Sequence, residues 1–374
     1  GETLIGINPT NAEILATALN HEVEQRRLVR EQDRIYLPAL HAGEIRIARK
    51  IQSLMSTRHR FEPIDVDRAV PWAESLMKIH FAATQAEALK MAMSQKVSII
   101  TGGPGVGKTT IIRALVDAFK VRRLTICLAA PTGRAAKRME EATHHEAKTI
   151  HRLLKYVPNV GRFDHGPDNP LEGQVFILDE VSMMDLPLMD AFLSALPDES
   201  CLILVGDVDQ LPSVGPGNVL MDLIQSGAIP FVKLETIFRQ EKGGWIVRNA
   251  HHVNHGEPLE TPQGDEDADF YFVQTQEPDQ VIQRMLELVT DRIPNRFGFD
   301  PMNDIQVLTP MRKNQLGADN LNAVLQEALN PKGAHVERFG RKYRCGDRVM
   351  QIRNNYDKDV FNGDIGRIVT VDHE

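Results

Sequence analysis

Several features that would settle a structural class quickly are missing from this chain. Its cysteines are three, Cys127, Cys201 and Cys345, an odd number set far apart and without metal-ligand spacing. That excludes a disulfide framework and a zinc site, and predicts buried thiols in a reducing, cytoplasmic setting. The 13 histidines share no Cys/His cluster either. No uninterrupted apolar stretch is long enough to span a bilayer and no signal peptide is evident, so no membrane partner is expected. Internal repeats and low-complexity tracts are absent. The net charge of −8 excludes a protein that simply coats nucleic acid.

What is present is ordinary in bulk and uneven in detail. With 374 residues, 42% hydrophobic and 25% charged, the chain has room for two or three domains with sizeable cores. Residues 81–155 carry 13 Lys and Arg against 5 Asp and Glu, whereas residues 156–240 carry 3 against 13. The basic segment is either a face for a nucleic-acid backbone or a solvated helix surface.

The periodicities divide the chain. Residues 1–80 read as a separate, mostly helical module. Thr10 and Glu13 have capping-box spacing, a short strand pair is expected around 27–29 and 34–37, and a helix from about Ala42 to Met55. Helix, ribbon, helix is compatible with a winged-helix-like piece, and Phe61 to Trp72, with Pro63 and Pro71, reads as a linker. From about Phe81 the pattern is α/β. Thr84 and Glu87 give a second capping box, and parallel strands are expected at 96–101, 124–130, 174–178 and 201–205. This predicts a doubly wound sheet with ligand residues at the carboxyl ends of its strands. A further strand, Asp304 to Leu308, would begin a second α/β unit. Asp347 to Asp372 alternates around Asn362-Gly363-Asp364, a hairpin signal.

The string Gly102-Gly103-Pro104-Gly105-Val106-Gly107-Lys108-Thr109 follows an apolar strand and precedes a helix-like segment, the context in which a phosphate-binding loop operates. Glycines let backbone N–H groups wrap phosphates, the helix N-terminus adds its dipole, Lys108 supplies charge and the Thr109 hydroxyl can ligate Mg²⁺. Phe176 to Glu180 is an apolar strand ending in two acids. Asp179 is placed to hold the metal and Glu180 to deprotonate an attacking water. Gln210, in Gly206-Asp207-Val208-Asp209-Gln210, is either a γ-phosphate sensor or part of an Asp/Gly-rich turn. Arg239 can meet a γ-phosphate bidentately. Gln85 can read an adenine edge or lie on a helix surface. Ala130 to Lys137 and Thr149 to Leu154 offer hydroxyls, N–H groups and cations suited to the phosphates of a strand, or merely cap helices. Residues 155–173 suggest a hairpin with a polar tip.

Taken in order, GGPGVGKTT (102–110), APTGRAAKRM (130–139), TIHRLL (149–154), ILDEVSMMD (177–185), GDVDQLPSVGPGNVL (206–220) and FRQ (238–240) resemble the RecD-like branch of superfamily 1 DNA helicases. VLTPMRKNQLGADNLNAVLQ (307–326) and NNYDKDVFNGDIGRI (354–368) complete the likeness. The resemblance implies an ATP- and Mg²⁺-dependent helicase of DNA repair and recombination, moving 5′ to 3′ on single-stranded DNA and opening duplex at junctions. It implies a RecA-like motor domain at 81–240, a partial second RecA-like domain at 241–335 and a partial inserted β-barrel at 336–374. It assigns nucleotide binding to Gln85 and residues 102–110, including Thr110, and the metal to Thr109 and Asp179. Catalysis falls to Lys108, Glu180, Gln210 and Arg239, and DNA contacts to Pro131, Thr132, Arg134, His151, Thr309 and Arg312. Other subunits of a nuclease–helicase complex, or a single-strand-binding protein, are the protein partners it suggests. Family members continue beyond the last matched string, so the chain reads as a piece of a longer enzyme. The alternatives are the helicase segment of a conjugative relaxase and an ATP-dependent switch that binds DNA without unwinding it.

Overall fold

The computed structural model describes residues 9–58, 61–158, 160–234, 244–262, 268–338, 340–352, 355, 358, 360 and 362–372. The chain forms two compact units, Gly1–Lys242 and Gly243–Glu374. No described helix is long and apolar enough to cross a membrane.

The first unit opens with α1 (Pro9–Glu24), the ribbon β1 (Val29–Glu31) and β2 (Arg34–Tyr36), and α2 (Pro38–Ser56). The expected capping role of the Thr10 side chain lies outside what is described of helix α1. Then come α3 (Val66–Met77), α4 (Ala83–Ser94), β3 (Val97–Gly102), α5 (Lys108–Val121), β4 (Ile126–Ala130), α6 (Gly133–Thr143), β5 (Ala147–Thr149) and α7 (Ile150–Leu153). The hairpin β6 (Tyr156–Val157) and β7 (Arg162–Phe163) precedes β8 (Val175–Leu178), α8 (Leu186–Ala195), β9 (Cys201–Gly206), α9 (Val219–Gln225) and β10 (Phe231–Leu234).

Six strands form one parallel sheet in the order β10-β3-β9-β8-β4-β5. The four strands expected from the sequence are there. The short β5 and the edge strand β10 are additional. Alternation within the apolar runs divides the core between the two faces of the sheet. Val175, Ile177, Ile203 and Val205 pack with α4, α5 and α6, whereas Phe176, Leu178, Leu202 and Leu204 pack with α2 and α8.

That division changes the reading of residues 1–80. Ile47, Ile51 and Leu54, one turn apart on α2, are buried in the same cluster as Phe176 and Met189. Arg46 grips Asp190 of α8 with Nε at 3.0 Å and Nη2 at 2.5 Å, and Lys50 meets Asp198 at 2.5 Å. Helix α2 is therefore a layer of the sheet domain and not part of a module set apart from it. The expected linker is also structured: α3 runs through Pro71, with Val70 and Ala73 buried. Asp65 caps it by accepting the Arg68 N–H at 3.3 Å.

The second unit holds α10 (Trp245–His255), α11 (Pro278–Glu287), a π turn (Leu288–Arg292) leading into α12 (Ile293–Phe297), and α13 (Ala318–Leu329). Two antiparallel pairs follow: β11 (His335–Arg338) with β12 (Arg341–Arg344), and β13 (Arg348–Met350) with β14 (Ile365–Arg367). The strand expected at Asp304–Leu308 is not formed. A strand needs a hydrogen-bonded neighbour; instead the Arg348 guanidinium donates to the carbonyls of Met302 and Ile305, each at 3.1 Å. Asn362-Gly363-Asp364 is on the return arm of the β13–β14 connection, where Gln351 and Asp364 pair through the Gln351 N–H at 2.8 Å. Gly363, at φ 94°, takes a left-handed turn there.

A candidate nucleotide site at the carboxyl edge of the sheet

Strands β3, β9 and β8 are consecutive neighbours, with Thr101 opposite Gly206 and Leu178 opposite Leu204. Their carboxyl ends therefore deliver three loops to one place: 103–107, 179–183 and 207–217. This register sets the loops that carry Lys108, Asp179, Glu180 and Gln210 at the same edge of the sheet.

The phosphate loop needs its glycines for two separate reasons. Gly105 and Gly107 have φ of 79° and 87°, a backbone that only glycine adopts without strain. Gly102 is crowded: a Cβ there would lie 2.8 Å from the Leu234 carbonyl and 2.9 Å from Val106. Gly103, Pro104, Gly105 and Val106 cross the gap to Gly107, which caps α5, so the free N–H groups of Lys108, Thr109 and Thr110 point out of the helix start. The Lys108 ammonium folds back onto the carbonyls of Gly102 and, at 2.9 Å, Gly103. Thr109 is exposed at the mouth of the loop.

Gln85 is not on a helix surface. It is 4% exposed, and its Nε2 donates to the Val106 carbonyl at 3.0 Å while Oε1 accepts the Ala82 N–H at 3.1 Å. The cap of α4 thus lies two residues earlier than the Thr84–Glu87 spacing suggested, and the capping side chain doubles as a prop for the phosphate loop.

Burial pushes the Asp179 carboxyl up to about 6; the Glu180 N–H it accepts at 2.9 Å and the Lys108 charge work against that rise, and the Glu180 charge adds to it. Glu180 stands at φ 54°, a left-handed position costly for a side chain, and it leads into a 3₁₀ turn at Val181–Met183. Its Oε2 is buried and has no hydrogen-bond partner. A strained backbone, an orphaned carboxylate oxygen and a carboxyl held near neutrality fit a divalent cation and a water molecule, which would supply the missing partners. A phosphate loop of this kind implies nucleotide binding with a divalent metal.

Two residues the sequence did not single out build the rest. Thr101 Oγ1 accepts the Val208 N–H at 3.1 Å, tying the end of β3 to the loop after β9. Asp207, 2% exposed, accepts from the Asp209 N–H at 3.1 Å and from Gln210 Nε2 at 3.2 Å. Gln210 is thereby aimed by a buried acid. The family string contained Asp207, but nothing in spacing marks an acid as structural. Arg239 lies outside the described residues.

The expected DNA residues form two groups. Pro131 and Thr132 follow β4, and Thr132 Oγ1 accepts the Ala135 N–H at 3.2 Å as the cap of α6. Arg134, Lys137 and Arg138 are exposed on that helix, and none is ion-paired among the described residues. Helix α7 carries His151, whose ring packs 5.6 Å from both Tyr156 and Phe163 at the base of the β6–β7 hairpin. Burial lowers the His151 pKa, against an opposing pull from Asp185. In the second unit, Thr309 donates to the Leu316 carbonyl at 2.7 Å, and Arg312 is exposed and faces Asp319 at 3.6 Å.

Residues 85–216 match the family described as "AAA domain", and residues 321–374 match the "ATP-dependent RecD-like DNA helicase SH3 domain". The chain is 36% identical over 338 residues to the ATP-dependent RecD2 DNA helicase of Deinococcus radiodurans, covering 90% of this chain and 45% of that protein. It is 29% identical to the RecBCD enzyme subunit RecD of Mycolicibacterium smegmatis, over 90% of this chain and 65% of the relative. A solved Pif1 helicase from Candida albicans is 18% identical with a TM-score of 0.41, over 79% of this chain and 70% of that one. The chain thus spans about half to two thirds of the length of these curated relatives. In its AAA-domain and SH3 segments, and along 90% of its length, the chain is similar to RecD-like helicases.

Proposed function

We propose that this chain is the motor segment of an ATP-dependent DNA helicase that moves 5′ to 3′ on single-stranded DNA and opens duplex at junctions, in repair or recombination. The carrying observation is the placing of Lys108, Asp179, Glu180 and Gln210 at three neighbouring strand ends, beside an edge that exposes Arg134, Lys137 and Arg138, none of them ion-paired among the described residues. Relatives whose names record helicases and a RecBCD subunit support the DNA reading. Residues 81–240 serve as the first RecA-like domain, 241–335 as part of a second, and 336–374 as part of an inserted barrel. Such work belongs in the cytoplasm, with a nuclease–helicase assembly or a single-strand-binding protein as candidate partners.

The chemistry assigned to each residue follows from its place. The loop N–H groups and Lys108 bind the outer phosphates of ATP. Asp179 and Thr109 would hold Mg²⁺, which neutralises phosphate charge when bound. Glu180 takes the proton of the attacking water through its free oxygen, and Gln210, steadied by Asp207, orients that water. Arg239, by its motif, stabilises the γ-phosphate. Pro131, Thr132, Arg134 and His151 on the first unit, and Thr309 and Arg312 on the second, are assigned to the DNA strand.

The test is strand displacement by the full-length protein on duplexes with 5′ or 3′ tails. Unwinding of the 5′-tailed substrate alone is expected. ATP hydrolysis stimulated by DNA without displacement of either substrate would leave a switch instead of a motor.

A further inference from the structure

Two loops leave the sheet beside the phosphate loop. One carries Glu180 and the other Gln210, and each arrives five residues later at the same point, where Asp185 meets Gly215. Asp185 caps α8: Oδ1 accepts the Leu188 N–H at 2.9 Å. Its other oxygen, Oδ2, lies against Gly215 so closely that a Cβ there would overlap it and stand 2.7 Å from Asp185 Cβ. The next residue, Leu186, donates its N–H to the Pro216 carbonyl at 2.8 Å. Gly217, at φ +98°, follows Leu186 closely enough that a Cβ would be 3.0 Å from the leucine's. The Ser213 hydroxyl reaches the carbonyls of Gly215 and Gly217, each at 3.0 Å, and closes the loop on itself.

An ordinary N-cap needs only its own helix. It makes no demand on a residue thirty positions away, and it does not require two glycines to press against the cap and its neighbour. Asp185 also has no ion-pair partner among the described residues, so its carboxylate serves the loop contact and the cap alone. Helix α8 is fixed on its other flank by the Arg46–Asp190 pair. The Asp185 carboxylate therefore stands between two motifs that chain distance alone would leave separate.

We propose that Asp185 is a positioning residue: it fastens the Glu180 turn to the Gln210 loop so that they move as one body and hold the hydrolytic groups in register. This rests on the helicase reading above.

The experiment uses the full-length protein and measures ATP hydrolysis with and without poly(dT), together with Mg²⁺-ATP affinity. In Asp185→Ala and Gly215→Ala the DNA-stimulated kcat should fall about 10- to 100-fold, the scale of a small misplacement of catalytic groups. KM and nucleotide affinity should stay within about twofold, since the phosphate loop is untouched. Asp185→Asn keeps the shape and the capping oxygen and should retain the rate within about threefold. The double variant should be no slower than the worse single one, because both break one contact. Retained affinity in each variant reports a folded first unit. A normal kcat in Asp185→Ala, a loss confined to KM, or additive losses would overturn the role of Asp185 alone. A wild-type protein with no DNA-stimulated hydrolysis would overturn the helicase reading and this inference with it.

Discussion

The side chain of Gln85 donates to the carbonyl of Val106 at 3.0 Å and lies against Gly107, the residue that caps α5. One amide thereby joins the start of α4 to the loop that wraps the phosphates. Its oxygen accepts the Ala82 N–H at 3.1 Å, which fixes which end of the amide points at the loop. Gln85→Ala should weaken nucleotide binding by roughly five- to fiftyfold, the scale of a buried hydrogen bond whose partner is left unmet. Because the amide acts through the loop, ATP and GTP should lose affinity alike. Titration with both nucleotides checks this, and a loss restricted to ATP would return Gln85 to reading adenine.

Lys108 and Glu180 divide the work of one site. Lys108→Ala removes the charge that meets the outer phosphates, so Mg²⁺-ATP affinity should fall by tenfold or more, about the worth of one charge-assisted hydrogen bond. Glu180→Gln leaves Asp179 and the loop in place and removes only the proton acceptor. It should bind ATP normally and hydrolyse it about a thousandfold more slowly, a reasonable scale for losing a general base. Equal loss of affinity in the two variants would contradict the division.

Asp179 makes the site sensitive to pH without any ligand. Its carboxyl is ordinarily half-protonated near 3.8 and burial raises it to about 6. Between those values the folded protein holds a proton that the unfolded chain has released, so stability falls as pH rises from about 4 to about 6 and is flat above. Asp179→Asn should remove that slope and stabilise the nucleotide-free protein at pH 7 by on the order of 3 kcal/mol. The same variant should fail to bind Mg²⁺-ATP. Thermal unfolding from pH 4 to pH 8 in both proteins tests the sign; a variant less stable at pH 7 would refute it.

The central sheet was legible because parallel strands buried on both faces are continuous apolar runs, as at Val175–Leu178 and Cys201–Gly206. The phosphate loop and the acid pair were legible because their chemistry fixes residue type and spacing. What escaped was whatever tertiary contact alone decides. Nothing local says that Ile47, Ile51 and Leu54 face the sheet rather than a module of their own, because an amphipathic stripe does not name its partner. Pro71 suggested a break, yet α3 tolerates it where one carbonyl is left without its helical donor. Asp207 and Asp185 sit in strings whose spacing marks them no more than their neighbours, and only the folded loops show what they hold.

The β6–β7 hairpin gives the last expectation. Tyr156 pairs with Phe163 across the two strands, with ring centroids 5.2 Å apart, and both rings lean on His151. The loop turns through Gly161 at φ 68° and is closed by the N–H groups of Val160 and Gly161 on the Val157 carbonyl at 3.2 and 2.9 Å. Its tip is less polar than the sequence suggested, with Val160 59% exposed, and Tyr156 on its flank is 42% exposed. A short, stiff hairpin with exposed apolar groups, rooted in the motif assigned to single-stranded DNA, is suited to holding a base pair open by stacking. We therefore propose it as the pin that divides the strands. Replacing residues 157–165 with a Gly/Ser link in the full-length protein should reduce strand displacement by about tenfold or more, the worth of roughly one stacked base. ATP hydrolysis stimulated by single-stranded DNA should survive, since the replaced segment excludes His151 and all of the nucleotide site. Displacement that persists undiminished would make the hairpin a surface ornament, and loss of both activities together would mean that it supports the DNA-bound state itself.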